Sequence, residues 1–308
     1  MSKIKDIAVI GAGGVGGFFA GKIINSRKYR VSLIARGEHL RAIQNDGLIL
    51  NTAEKREIIC KPYIATDSFD KIPAPDLAFI TVKGYDLEGV TRLMSKTLSE
   101  TSILLPLLNG VDIYERIKRL IPWVTVLPGC VYVSSHIEKP GVVTQTGGKG
   151  MIILGKDPKK KEFDPTEIKR VFQDARIPYQ WEENPFPAIW TKFVFIASFA
   201  LVSAYSGKTI GEILEEKGLN QLVYSIGSEI VEIAKKKGIM LKDNVVKEAI
   251  IKAHSFPYDT KTSYQRDLET PGKPNEGELF GGTIIRMGKE LGVNVSTTEK
   301  IYTTILNR

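Results

Sequence analysis

A glycine-rich turn near the start of the chain constrains the fold more than any other feature. The apolar run Ile7–Ile10 leads into Gly11-Ala12-Gly13-Gly14-Val15-Gly16, and a segment with helical spacing follows. Gly11, Gly13 and Gly16 match the G-x-G-x-x-G pattern, whose glycines make the turn, admit a pyrophosphate and let the helix pack on the strand. The pattern therefore predicts a dinucleotide at a helix N-terminus, where free amide groups favour phosphate. A structural turn without a ligand is the competing interpretation.

The residue after the second predicted strand, Val31–Ala35, bears on which dinucleotide is bound. The pattern usually has an Asp or Glu there to bind the ribose hydroxyls, whereas this chain has Arg36. A guanidinium can hold the 2′-phosphate of NADP, which a carboxylate would repel. We therefore expect NADPH rather than NADH. The alternative is that Arg36 is a solvated loop residue and that Glu38 binds the ribose.

The pattern of elements changes between the two parts of the chain. In residues 1–184, strand-like and helical runs alternate, which predicts a doubly wound parallel sheet of the Rossmann type, whereas residues 185–308 look helical throughout. The expected fold class is α/β, with an NADP-binding domain at 1–184 and an all-α substrate and catalytic domain at 185–308. We also expect one strand at Ile58–Ile64, an antiparallel extension within residues 124–154, and capping boxes beginning at Thr209 and Ser296.

Composition excludes several other classes of function. The net charge is +8, but the lysines are dispersed and no basic-aromatic module is found, so nucleic acid is not expected as a partner. No apolar run is long enough to suggest a membrane span, and the first strand begins too early to leave room for a signal peptide. Cys60 and Cys130 lack metal-type spacing, so we expect buried thiols, no metal and a cytoplasmic location.

Two polar residues follow predicted strands of the sheet. Lys83 comes directly after Leu77–Val82, and Asn109 comes directly after Ile103–Leu108. Ligands of doubly wound sheets bind beyond the carboxyl ends of the strands, so both residues are candidates for contact with cofactor or substrate. Taken singly, each would be a solvated lysine or an ordinary Asn-Gly turn.

The first helix of the second part carries a lysine on a largely apolar face. Helical spacing places Lys192 with Ile196, Phe199 and Ser203. Desolvation there would lower the pKa of the amine toward neutrality, which suits a general acid. The alternative is that Lys192 extends to water from near the helix start. Since none of the three histidines has a convincing acid-base context, a lysine-based reduction is favoured over a histidine-based one.

With these residues collected, the whole chain resembles the ketopantoate reductase family. The resemblance is carried by the glycine turn, Arg36, Thr81-Val82-Lys83, Leu108-Asn109-Gly110, Trp190-Thr191-Lys192-Phe193, residues 262–268 and Glu276-x-Glu278. It implies that NADPH reduces the C2 carbonyl of ketopantoate, a small anionic 2-oxo acid, in a cleft between a Rossmann and a helical domain. A homodimer is compatible with it.

The resemblance also implies roles for individual residues. Lys192 would be the proton donor, and Asn109 would lie near both nicotinamide and substrate. Ser263 would bind the substrate, and Lys83 and Arg36 would serve the cofactor. Glu276 would order the cofactor and the lysine.

The chain departs from this family at two positions of the lysine helix. The family usually has asparagines four and eight residues after the lysine, whereas this chain has Ile196 and Ala200. The pocket should therefore be more apolar. The alternatives are reduction of a different, more apolar 2-oxo acid, or a dinucleotide-binding sensor without catalysis.

Overall fold

The computed structural model describes residues 3–160, 162–270 and 272–307, which divide into two units. Unit 1 comprises residues 1–108 and 113–185, and unit 2 comprises residues 109–112 and 186–308. The sequence boundary at 184/185 is thus close to the main division. The segment Asn109–Asp112 departs from the expected boundary, because it belongs to the helical unit although the residues on both sides of it in the sequence belong to unit 1.

Unit 1 is built from alternating strands and helices. Its elements are β1 (Asp6–Ile10), α1 (Gly14–Asn25), β2 (Arg30–Ile34), α2 (Gly37–Asp46), β3 (Leu48–Asn51), β4 (Ile58–Cys60), β5 (Ile64–Thr66), β6 (Leu77–Ile80), α3 (Leu87–Met94), β7 (Ile103–Pro106), α4 (Ile113–Leu120), β8 (Thr125–Val126), β9 (Gly129–Lys139), β10 (Val142–Gly155), α5 (Thr166–Asp174) and β11 (Tyr179–Glu182). Six strands form a parallel sheet in the order β5-β2-β1-β6-β7-β8. This confirms the predicted doubly wound sheet.

A second sheet in unit 1 has the order β11-β10-β3-β4, with β9 antiparallel to β10. The expected antiparallel extension is therefore present, and β10 runs through both of its last two predicted pieces. The prediction of one strand at Ile58–Ile64 is wrong. Residues 58–60 belong to this sheet and residues 64–66 to the parallel one, because Pro62 between them has no N–H to continue a ladder.

The core of unit 1 is apolar and aromatic. The central strands β1, β6 and β7 are almost wholly buried, as expected for parallel strands covered on both faces. Phe19 stacks near Phe79 with ring centroids 6.1 Å apart, and Phe79 meets Phe172 edge-on at 6.4 Å. Cys60 and Cys130 are both buried, and neither forms a disulfide bond.

Unit 2 is helical, as predicted. Its elements are α6 (Phe186–Ser206), α7 (Ile210–Glu215), α8 (Lys217–Lys236), α9 (Val245–Ala253), α10 (Ser263–Leu268), a π-helical turn (Glu278–Gly282), α11 (Thr283–Leu291) and α12 (Ser296–Leu306). The central helix α6 packs against α8, α9, α10 and α12. By length and hydropathy α6 could cross a membrane, but 61% of its apolar window is buried inside the fold, which is typical of a core helix.

The two predicted capping boxes have different outcomes. Thr209 and Glu212 form a reciprocal box at the start of α7. The box predicted at Ser296 is wrong, because Val295 is the N-cap of α12 and no side chain caps it. Instead the Glu229 carboxylate on α8 accepts hydrogen bonds from the N–H groups of Thr297 and Thr298, at 2.8 and 3.0 Å.

Candidate active site

The glycine turn between β1 and α1 is held from both neighbouring strands. The N–H groups of Gly11 and Ala12 donate to the carbonyl oxygen of Ile34 at the end of β2, at 3.0 and 3.1 Å. The Thr81 hydroxyl, just after β6, donates to the carbonyl oxygen of Gly11 at 2.8 Å. The turn is therefore fixed at the carboxyl edge of the parallel sheet.

At three positions of this turn, close contacts with neighbouring atoms leave no space for a side chain. Gly11 has a φ of +94°, and a Cβ there would lie 2.9 Å from Val82 Cγ1. A Cβ on Gly16 would clash with the carbonyl oxygen of Gly11, and one on Gly14 would clash with the backbone of Ser135. These positions need glycine whether or not a ligand binds.

Gly13 differs from its neighbours. Its φ of −70° is open to any residue, and a Cβ there would meet no heavy atom within 4 Å. It is the N-cap of α1, and the first amide groups of a helix have no intrahelical partner. An open side next to such amides fits the close approach of a phosphate. The turn therefore fits the pyrophosphate of a dinucleotide.

His39 on α2 supports the same turn. The Gly141 N–H donates to His39 Nδ1 at 3.0 Å, so Nδ1 carries no proton, and Nε2 donates to the Ala12 carbonyl oxygen at 2.8 Å. Burial lowers the pKa of His39, in agreement with a neutral ring. The sequence indicated no acid-base role for His39, and in the structure its ring hydrogen-bonds the glycine turn at Ala12 and the backbone at Gly141.

The two basic residues predicted at the cofactor lie at the same edge of the sheet as the turn. Arg36 is the N-cap residue of α2 after β2, and Lys83 follows β6; β2 and β6 flank β1 on either side. The Arg36 side chain is 67% exposed, and Nη1 lies 3.7 Å from the Asp86 carboxylate. Lys83 is half-buried. Arg36 can therefore be reached by a ligand from solvent.

In unit 2 the structure joins two residues that lie far apart in sequence. Lys192 Nζ, on the first turns of α6, donates to Asn109 Oδ1 at 2.9 Å, and both side chains are half-buried. The same face of α6 continues to Ser203, whose hydroxyl lies 2.7 Å from that of Thr262. An amine held by an amide oxygen has a fixed direction, which a proton donor requires.

Ser263 lies on α10 and Glu276 lies two residues before the π-helical turn, and both of these elements pack against α6. Ser263 is the first residue of α10 and is half-buried, and Thr262 caps that helix by accepting the N–H of Gln265 at 3.2 Å. Glu276 is only 5% exposed and lies just before the π-helical turn. Such turns are frequent at functional sites.

One contact near Asn109 was not predicted. Arg286 Nη2 on α11 donates to Asp112 Oδ2 at 2.5 Å. The two residues are 174 positions apart, so no local pattern could have paired them.

Comparison with known proteins places the chain in a family. The model of ketopantoate reductase PanE/ApbA matches residues 7–159, and the model of its C-terminal domain matches residues 186–308. The chain belongs to the ketopantoate reductase family. It is therefore an oxidoreductase with the fold of that family.

Individual relatives are distant but cover nearly the whole chain. An uncharacterised oxidoreductase, YkpB of Bacillus subtilis, is 23% identical over 96% of both chains. A PanE/ApbA family ketopantoate reductase from Ralstonia eutropha is 25% identical, with a TM-score of 0.89 over 98% of this chain and 97% of that one. A D-mandelate dehydrogenase, solved with NADH and anilino(oxo)acetate, has a TM-score of 0.87 at 22% identity over 98% and 97%. The last of these shares the fold with this chain.

Proposed function

We propose that this protein reduces the C2 carbonyl of 2-dehydropantoate (ketopantoate) to pantoate with NADPH, a step of pantothenate and coenzyme A synthesis. The observation that carries the proposal is the hydrogen bond from Lys192 Nζ to Asn109 Oδ1 in a member of the ketopantoate reductase family. It fixes the direction of the Lys192 ammonium, the cationic donor that the reduction would need. A cytoplasmic enzyme fits this chemistry.

In the proposed reaction, Lys192 is the acid. Its ammonium donates a hydrogen bond to the substrate carbonyl oxygen, and as the C–O π pair moves to oxygen the N–H bond breaks and the alkoxide takes the proton. The amine left behind regains its proton from water. Asn109 holds the amine in line, and Ser263 binds the substrate from the start of α10.

Residues of unit 1 would hold the cofactor, which when bound supplies the hydride. The amides of the first turn of α1 bind its pyrophosphate, and Gly13 leaves them accessible. Arg36 would bind the 2′-phosphate by a charge-assisted hydrogen bond, which would replace its long contact with the Asp86 carboxylate. Lys83 serves the cofactor from the end of β6, and Glu276 orders the cofactor and Lys192.

A second candidate is favoured by the α6 face beyond Lys192. Ile196 is half-buried and Ala200 is buried, so this stretch of the face has no hydrogen-bonding side chain before Ser203. Phe195, one turn from Lys192, stacks on Phe256 with ring centroids 5.5 Å apart. These surroundings suit a 2-oxo acid with an apolar chain, and a D-mandelate dehydrogenase shares the fold. The substrate would then be a more apolar 2-oxo acid.

A substrate panel tests both candidates. Purified protein and NADPH are incubated with ketopantoate, 2-oxoisovalerate and benzoylformate, and loss of the reduced nicotinamide absorbance is followed. A preference for ketopantoate supports the first candidate. A preference for the apolar acids that reverses in the double variant Ile196→Asn, Ala200→Asn supports the second. NADPH binding without turnover of any 2-oxo acid would instead indicate a sensor and contradict both.

A further inference from the structure

The segment Asn109–Asp112 is tied to two helices of unit 2. At one end, Asn109 accepts a hydrogen bond from Lys192 on α6 at 2.9 Å. At the other end, Asp112 accepts one from Arg286 on α11 at 2.5 Å. Gly110 between them has a φ of +132°, a conformation that favours glycine. Each end of this short segment is therefore fixed by a cationic side chain.

The contact at Asp112 is the stronger constraint on Arg286. The Asp112 side chain is 5% exposed, and a buried carboxylate requires a counter-charge. Arg286 also approaches Glu290 one turn along α11, at 3.5 Å, but that carboxylate is 59% exposed and such surface pairs contribute little. Loss of Arg286 should thus disturb Asp112 far more than it disturbs Glu290.

We propose that Arg286 is a positioning residue for the reaction of Lys192. By holding Asp112 it holds the segment that aims the Asn109 amide oxygen at the Lys192 amine. This inference rests on the proposed function, since it takes Lys192 as the proton donor. Misdirecting an amine slows the chemical step and leaves cofactor binding unchanged.

The first test is a double-variant cycle. We measure kcat and the KM for NADPH in Arg286→Met, in Asp112→Asn and in the double variant. All measurements are made well below the melting temperature of each protein, and Glu290→Gln is the matched control. We expect each single variant to lower kcat about tenfold with KM for NADPH unchanged, and the double variant to lose no more than the worse single, because both break one contact. Arg286→Lys should recover part of the loss. A wild-type kcat in Arg286→Met, or losses that multiply in the double variant, would overturn the inference.

A second readout does not need turnover. Reductive methylation of Lys192 is followed by peptide mass spectrometry against Lys247, an exposed lysine of α9. Arg286→Met should raise the rate at Lys192 several-fold relative to Lys247, and equal ratios would contradict the inference. NADPH binding without turnover of any 2-oxo acid would show separately that the proposed function has failed, and wild-type turnover in Lys192→Ala would show that Lys192 is not the acid. The methylation rates would still show whether Arg286 helps to hold the contact between Lys192 and Asn109.

Discussion

Lys192 Nζ lies 2.9 Å from Asn109 Oδ1, which joins the first helix of the helical unit to a segment that follows strand β7. The amide oxygen can only accept, so the amine must direct one N–H toward it. This leaves the other two N–H groups in defined directions. The bond therefore orients the group that we propose as the acid.

Replacing Asn109 tests that orientation. Asn109→Ala should lower kcat by about tenfold to a hundredfold, because the amine loses its fixed direction. Asn109→Asp keeps an acceptor of the same shape and should retain more activity. Steady-state kinetics with the best substrate of the panel measure both, and an Asn109→Ala variant with wild-type kcat would exclude the role.

Gly13 and Gly16 should respond differently to alanine. A Cβ at Gly13 meets nothing within 4 Å, so Gly13→Ala should change the free energy of unfolding by less than about 1 kcal/mol. The same variant should weaken NADPH binding more than about tenfold, because the Cβ fills the space that a phosphate would approach. Gly16→Ala, the matched control, should destabilise the fold by about 1–3 kcal/mol, because its Cβ meets the Gly11 backbone. Calorimetric titration and urea unfolding measure the two effects. Normal NADPH affinity in Gly13→Ala would refute a phosphate site there.

Arg36 should decide between the two nicotinamide cofactors. Arg36→Gln is expected to lower the ratio of kcat/KM for NADPH to that for NADH by about tenfold to a hundredfold, since a charge-assisted hydrogen bond to the 2′-phosphate is lost. The control is Arg41→Gln, which changes another exposed arginine of α2. An unchanged ratio in Arg36→Gln would favour the alternative that Glu38 binds the ribose.

His39 should make stability depend on pH. Burial lowers the pKa of His39 in the folded state below the ordinary 6.5. At pH values well above 6.5 the ring is therefore neutral in both the folded and the unfolded chain, and its contribution to the free energy of unfolding is complete. As the pH falls below 6.5, the unfolded chain takes up the proton first and the free energy of unfolding decreases. Urea unfolding at several pH values should show a smaller decrease in His39→Gln than in the wild type. The same slope in both proteins would exclude this linkage.

Features encoded by neighbouring residues could be predicted from the sequence. The glycine turn and the box at Thr209–Glu212 depend on spacing within a few residues, and both are present. The parallel sheet, also present, was predicted from the alternation of strand-like and helical runs along the chain. The face of α6 that carries Lys192 also follows from helical periodicity. Local chemistry was sufficient for these parts of the fold and for naming Arg36, Lys83, Asn109 and Lys192 as candidates, whereas Ser263 and Glu276 were named only through the resemblance to the family.

Features that depend on distant partners could not be predicted. Ser296-Thr297-Thr298-Glu299 has the spacing of a capping box, but Glu229 from another helix binds the free amides of α12 instead. The strand predicted at 58–64 divides between two sheets, and the sequence does not say which sheet each half joins. The contact of Arg286 with Asp112 likewise depends on tertiary packing.

The central claim is that the Lys192 amine gives the proton in a carbonyl reduction, and turnover of Lys192→Ala tests it most directly. The rate of NADPH oxidation with the best 2-oxo acid of the panel is measured together with the Kd for NADPH on the same preparation. The account predicts that kcat falls by about a hundredfold to ten-thousandfold while the Kd for NADPH changes less than about twofold. Wild-type kcat in Lys192→Ala, with NADPH bound normally, would contradict it.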